Sequence, residues 1–264
     1  MDCVIAAGGI PTTDSPLYPY TQGKPKSLID MGGRTMLERI VDALQASHNV
    51  DDVIIVGIDD DQYPLNLNRK AYYIHDHGSM IRNFKAGLDW ISQHKPASKT
   101  ALLCSNDIPH ITEEIIDDFV ERCQPFDYLF YYPYVEKEVV ERRYPNPKHP
   151  YEVWTIGEFL AGDIFMVNME ILNGDWELWE AWDSYEWNNY PAVVRQITEH
   201  FGAETLHKLL SGQFSYEEEF DIIKPLLGSD KGIKIVLSPY AELALDADYT
   251  HIIERLQAEF INQS

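Results

Sequence analysis

The chain has 264 residues, 45% hydrophobic and 24% charged, with a formal net charge of −22 at pH 7. That length can bury a substantial core, in one large α/β domain or two small ones. The acidic balance repels a nucleic-acid backbone over most of the surface. No apolar run approaches the roughly 20 residues that span a bilayer. Neither nucleic acid nor a membrane is therefore expected as a partner. A small anionic substrate stays open, because a few cations or a bound metal can reverse the field inside a cleft.

Val4 to Ala7 is an apolar run ending in Gly8-Gly9, which reads as a buried first strand and a loop rather than a signal peptide. Pro11, Pro16, Pro19, Pro25 and Gly23 then mark a long segment expected to hold no helix and, by its length, to carry function. Thr35 and Glu38 form a capping box, followed by Met36, Leu37, Ile40, Val41 and Leu44 on one helical face. Val53–Val56 reads as a second buried strand, Met80–Gln93 as a helix and Ala101–Cys104 as a third strand. A Ser-Asn-Asp turn and a helix from about Glu113 follow. Tyr128–Val135 and Ile164–Val167 look like later strands. Residues from about 175 to 228 form a helical pattern rich in Trp, Tyr and Glu, in which Trp176, Trp179, Trp182, Tyr185 and Trp187 read as helix core or subunit contact. Ile233–Leu237 returns to strand, and an amphipathic helix starting at Tyr249 closes the chain. Strands alternating with helices predict one α/β domain over 1–264, with a mostly parallel sheet, helices on both faces and a late helical insertion.

In a parallel sheet the ligand sits beyond the carboxyl ends of the strands. Three features fall at that edge. Small residues at Ala6-Ala7-Gly8-Gly9 let a nucleotide approach the backbone, although a plain tight turn would also explain them. Lys24 and Lys26 flank Pro25 at the end of the long loop, placed like a phosphate clamp; a solvated turn is the alternative. Asn106 and Asp107 follow the third strand directly, where a carboxylate can hold a hard cation such as Mg²⁺. Its natural partner is Asp248, with Asp246 beside it. A turn role for Asp107 and a helix N-cap role for Asp248 are the structural alternatives.

Taken together, Ala6-Ala7-Gly8-Gly9, Lys24-Pro25-Lys26-Ser27-Leu28 and Gly32-Gly33-Arg34-Thr35-Met36-Leu37 resemble the opening of the nucleotidyltransferases with a glycosyltransferase-A-like fold. That group includes sugar-phosphate nucleotidyltransferases, molybdenum-cofactor guanylyltransferases and cytidylyltransferases. Asp107-Ile108-Pro109 matches the family's D-x-P metal site, and Asp248-Tyr249-Thr250-His251 resembles its closing motif, with Thr-His where Pro-Glu is usual. The family arginine after the glycines is absent, since Ile10-Pro11 follow Gly9.

The resemblance implies a Rossmann-like three-layer sandwich of the nucleotide-diphospho-sugar transferase type. It also implies a cytoplasmic, Mg²⁺-dependent enzyme that joins a nucleoside triphosphate to a phosphorylated small molecule. Lys26 would contact phosphates, and Asp107 and Asp248 would ligate the metal. Ala6, Ala7, Gly8, Gly9, Lys24, Asn106, Gly78, Ser79 and Asn83 would line the nucleotide pocket. Arg143 and Lys148, with the turn at Gly162-Asp163, would meet the acceptor. A glycosyltransferase of the same fold and a non-catalytic nucleotide-binding protein are the rival readings. The aromatic insertion could form a homodimer surface. The three cysteines, Cys3, Cys104 and Cys123, read as reduced core residues.

Overall fold

The computed structural model describes residues 1–177, 179, 180, 198, 199, 202–204, 207, 208, 215 and 229–263. Its first strand, β1 (Asp2–Ala6), is buried along its whole length. Successive side chains enter opposite cores: Cys3 and Ile5 join one, Val4 and Ala6 the other. That two-residue period is why the run is apolar without alternation, as a strand covered on both faces must be.

The remaining strands are β2 (Val53–Val56), β3 (Tyr72–Ile74), β4 (Thr100–Cys104), β5 (Phe130–Glu136), β6 (Glu152–Trp154), β7 (Gly157–Ala161), β8 (Ile164–Asn168) and β9 (Ile233–Leu237). They hydrogen-bond in the order β3-β2-β1-β4-β8-β5-β7-β6, with β9 added to β5. The first four in chain order are mutually parallel, and β9 runs parallel to β5. Reversal enters at β8, which is antiparallel to both β4 and β5, and at β7, antiparallel to β5.

Helices α1 (Tyr18–Thr21), α2 (Met36–Ala46), α3 (Met80–His94), α4 (Glu113–Cys123), α5 (Lys137–Arg143) and α6 (Thr250–Gln263) surround this sheet. On one face, Phe84, Leu88 and Ile91 of α3 pack with Val4, Ile54 and Val56. On the other, Ile40 and Leu44 of α2, Ile116 and Phe119 of α4, and Ile252 and Leu256 of α6 share a core with Ile5 and Ile55. The result is the three-layer α/β architecture that the alternating pattern predicts. Helix α3 lies so close to β1 that a Cβ on Gly87 would fall 2.2 Å from a Val4 methyl. The capping box also forms: Glu38 N–H donates to Thr35 Oγ1 at 3.2 Å, and Thr35 N–H donates to Glu38 Oε2 at 2.8 Å.

The proline-rich segment departs from expectation. It holds one helical turn, α1, with proline in its first turn, and a 3₁₀ turn over Lys26–Leu28 preceded by Pro25. Proline is excluded only from helix interiors; its fixed φ suits the first turn. Arg142 and Arg143 end α5. Strand β5 begins at Phe130 rather than Tyr128, and α6 at Thr250 rather than Tyr249. Trp176 and Trp179 pack against the α3-side core, and Trp179 stacks on Phe130 with ring centres 6.0 Å apart. Trp182, Tyr185, Trp187 and most of the expected insertion lie outside the described residues. Among the described residues no helix is long and apolar enough to cross a membrane.

Candidate active site

At the carboxyl ends of β1 and β4 the chain brings five segments together. Ser27 Oγ donates to Ala7 O at 3.0 Å and Lys26 N–H to Gly9 O at 3.1 Å, which fastens the Lys26 turn onto the glycine loop. Asn106 Nδ2 donates to Ala6 O at 2.5 Å, so β4 holds the same loop from its other side. Ala247 N–H donates to Asp107 O at 2.8 Å, and Ser105 N–H to Asp163 O at 2.9 Å. These bonds place the 243–248 segment and the start of β8 against the end of β4.

The side chains thus gathered are Lys26, Asp107 and Asp248. The Lys26 ammonium donates to Asp107 Oδ2 at 2.7 Å and to Asp248 Oδ1. Burial works against the charge of Lys26, but the two carboxylates outweigh it and hold its pKa above the ordinary lysine value. Burial pushes Asp107 up to about 6, against the pull of Lys26. Asp163 is driven well above the usual carboxylate range, first by burial and then by the neighbouring charges of Asp107, Asp246 and Asp248. One oxygen remains unanswered: Asp107 Oδ1 is buried with no hydrogen-bond partner among the described residues. Asn106 Oδ1 is in the same state.

The glycine loop is shaped by close approach. A Cβ on Gly57, whose φ is +106°, would fall 2.3 Å from Gly8 N, and one on Gly8 would fall 2.6 Å from Asp76 Oδ1. Asp76 Oδ1 accepts from Asn83 Nδ2 at 2.8 Å and from Gly78 N–H at 3.1 Å, while His77 N–H donates to Asn83 Oδ1 at 2.8 Å. Ser79 caps α3 by accepting from Arg82 N–H at 3.2 Å. Gly78, Ser79 and Asn83 therefore come together beside Gly8, and the residue they frame is Asp76. Sequence reasoning missed Asp76 because it follows a three-residue, half-buried strand with no clear period. His75 and His77 stack on each other with ring centres 4.5 Å apart.

The expected acceptor residues separate. Gly162 N–H donates to Pro133 O at 2.8 Å and Asp163 N–H to Leu243 O at 2.9 Å, so this turn sits beside Asp107. Arg143 instead pairs with Glu242 at 2.7 Å and Glu259 at 2.6 Å, and its guanidinium lies over the Tyr144 ring. It lines a cavity of about 320 Å³ with Arg39, Asp42, His110 and Phe260, not the lysine–carboxylate cluster. Lys148 and Lys24 are exposed.

A glycine loop, a lysine on a proline-bounded turn and a carboxylate after a central strand thus lie together at one edge of this sheet. The chain belongs to the MobA-like NTP transferase family, whose domain model matches residues 3–210. Among solved structures it is similar to a hypothetical transferase from Thermus thermophilus, at 25% identity and TM-score 0.77, covering 96% of this chain and 98% of that one. Two further structures share the fold alone. One is the 2-C-methyl-D-erythritol 4-phosphate cytidylyltransferase of Thermus thermophilus, at 14% identity and TM-score 0.54, covering 98% of both chains. The other is a CMP:2-keto-3-deoxy-manno-octonic acid synthetase complexed with CTP, at 12% identity and TM-score 0.56, covering 100% of this chain and 99% of that one. No curated protein matches the chain.

Proposed function

We propose that this enzyme transfers the nucleoside monophosphate of a triphosphate to a phosphorylated small molecule, a sugar phosphate or cofactor precursor, with release of pyrophosphate. The observation that carries the reading is the Lys26 ammonium shared by Asp107 and Asp248 on a turn fastened to the Gly8-Gly9 loop. Ala6, Ala7, Gly8, Gly9 and Asn106, with Gly78, Ser79 and Asn83, line the nucleotide side, and Lys24 lies at its solvent edge. Gly162 and Asp163 face the acceptor. Arg143 and Lys148 are candidates for its distal part, Arg143 only if its glutamate partners release it.

The donor set suits Mg²⁺. Among the described residues no group of three or more acidic, His or Cys side chains could hold an ion unaided. Mg²⁺ nevertheless asks for little from protein, keeping its waters and binding one or two carboxylates plus substrate phosphates. The unpartnered Asp107 Oδ1 and the nearby Asp248 are hard oxygen donors of that kind. Held there, the ion would neutralise charge on the triphosphate.

Lys26 contacts the α-phosphate as an acceptor phosphate oxygen attacks in line, and the bond to the departing pyrophosphate breaks. A phosphate monoester is largely ionised at neutral pH, so no side chain has to remove a proton. Positioning and charge neutralisation then carry the step. Three buried free cysteines support a reducing, cytoplasmic home.

Replacing Asp107 with Asn is expected to lower pyrophosphate release at least about 10³-fold, equivalent to about 4 kcal/mol, while the variant still unfolds cooperatively. Undiminished turnover in a folded Asp107→Asn enzyme would refute the assignment.

A further inference from the structure

The loop after α5 is fastened to the start of α6. His251 Nε2 lies 2.9 Å from Pro147 O, and Arg255 Nη1 donates to Pro145 O at 3.2 Å. A carbonyl oxygen only accepts, so His251 is the donor. The closing segment thus uses its histidine to seat a loop beside Asp248, and that loop delivers His149.

His149 is 11% exposed and meets the Tyr249 ring edge-on at 5.5 Å. Its Nδ1 lies 3.1 Å from Pro150 O, and its Nε2 lies 3.4 Å from Asp246 Oδ2. Both ring nitrogens face oxygens, and although burial opposes the charged form, Asp246 holds the pKa of the ring above its ordinary value. The other oxygen of Asp246, Oδ1, accepts from the backbone N–H of Asp248 at 3.3 Å. A chain of contacts therefore runs from the ring through one carboxylate to the backbone of the residue whose side chain holds Lys26.

We propose that His149 is a positioning residue: it fixes Asp246, which fixes the Asp248 backbone and so aims the Asp248 carboxylate at the Lys26 cluster. The proposal rests on the transferase reading above. Groups that orient a metal-binding carboxylate typically change metal affinity or activity 10–100-fold when removed.

The test compares wild type, His149→Gln, Asp246→Asn, the double variant and His149→Arg. For each, Mn²⁺ affinity is measured without nucleotide, and kcat and nucleotide KM are measured from pyrophosphate release. His149→Gln is expected to weaken Mn²⁺ binding and lower kcat by roughly 10–100-fold, with nucleotide KM within about twofold, because the glycine loop is untouched. Its loss and that of Asp246→Asn should not multiply in the double variant, since both cut one chain. His149→Arg places a cation beside Asp246 and should recover Mn²⁺ affinity. Unchanged Mn²⁺ affinity and kcat in folded His149→Gln, multiplying losses, or no recovery in folded His149→Arg would each overturn the proposal. If His149→Gln does not fold, unchanged Mn²⁺ affinity and kcat in Asp246→Asn would overturn it as well. A wild-type chain that neither binds Mn²⁺ nor releases pyrophosphate with any ribonucleotide would overturn the transferase reading itself, a result distinguishable from the others.

Discussion

Lys26 faces more carboxylates than it can neutralise, and that imbalance shapes the chemistry at the residue scale. Asp107 is pushed up to about 6 and Asp163 well above the usual range, both chiefly by burial. Such crowding is costly unless a charged substrate or ion completes it. Lys26, Asp107 and Asp248 were legible in the sequence because each sits in a short motif at a strand end or helix start. Asp76 was not, because the strand before it is three residues long and shows no period, and His149 was not, because its contact with Asp246 joins segments far apart in the chain. Behind the Asp107 turn, His110 is buried against Tyr144, Phe260 and Glu259, with Arg143 and Glu242 nearby. Burial, with Arg143, holds its pKa below 6.5 despite the glutamates. The unfolded chain therefore binds a proton first as pH falls, so His110 stabilises the fold above pH 6.5 and that contribution is lost below it. Glu259, held low mainly by Arg143, acts in the same direction in a lower window, below 4.5. Between pH 7 and 5 this loss opposes Asp107 and Asp163, whose raised values make the folded chain the better proton binder, so His110→Phe should shift the slope of melting temperature against pH toward greater stability on the acid side. An identical slope in the variant would contradict the assignment.

Among the elements, α2 was the most legible, because its capping box and its apolar face agree. Thr35→Ala removes the acceptor for Glu38 N–H and should cost about 1 kcal/mol, read as a lower denaturant midpoint with an unchanged slope. No change in midpoint would mean that tertiary contacts hold this end without the cap. Strands β3 and β6, each three residues long and mostly half-buried or exposed, escaped the sequence reading because so short a run shows no alternation. Among the described residues hairpin β6–β7 pairs only with β5 and itself, so no apolar run announces it. The α1 turn escaped for another reason: proline marks where helices cannot continue more reliably than where they can begin.

At the scale of the molecule, the order β3-β2-β1-β4-β8 puts the ends of β1 and β4 side by side at the centre of the sheet. Topology alone therefore joins the glycine loop to Asp107. The parallel half of this sheet was readable from alternating strands and helices, whereas the antiparallel entry of β8 and β7 was not, because strand direction leaves no mark in local sequence. On the proposed reading, a chain with net charge −22 binds a polyanion only where a local cation reverses the field, and Lys26 would do so with a metal ion offsetting the carboxylates around it. The most direct test is melting temperature against each of the four ribonucleoside triphosphates, with and without Mg²⁺. A ligand that binds only the folded state stabilises it, by about 2.7 kcal/mol at 100 times its Kd. The account predicts a Mg²⁺-dependent rise with one triphosphate, lost in Asp107→Asn. No rise with any triphosphate, alongside a rise with a nucleotide-sugar, would contradict it in favour of glycosyl transfer, and no response to either would contradict a nucleotide site altogether.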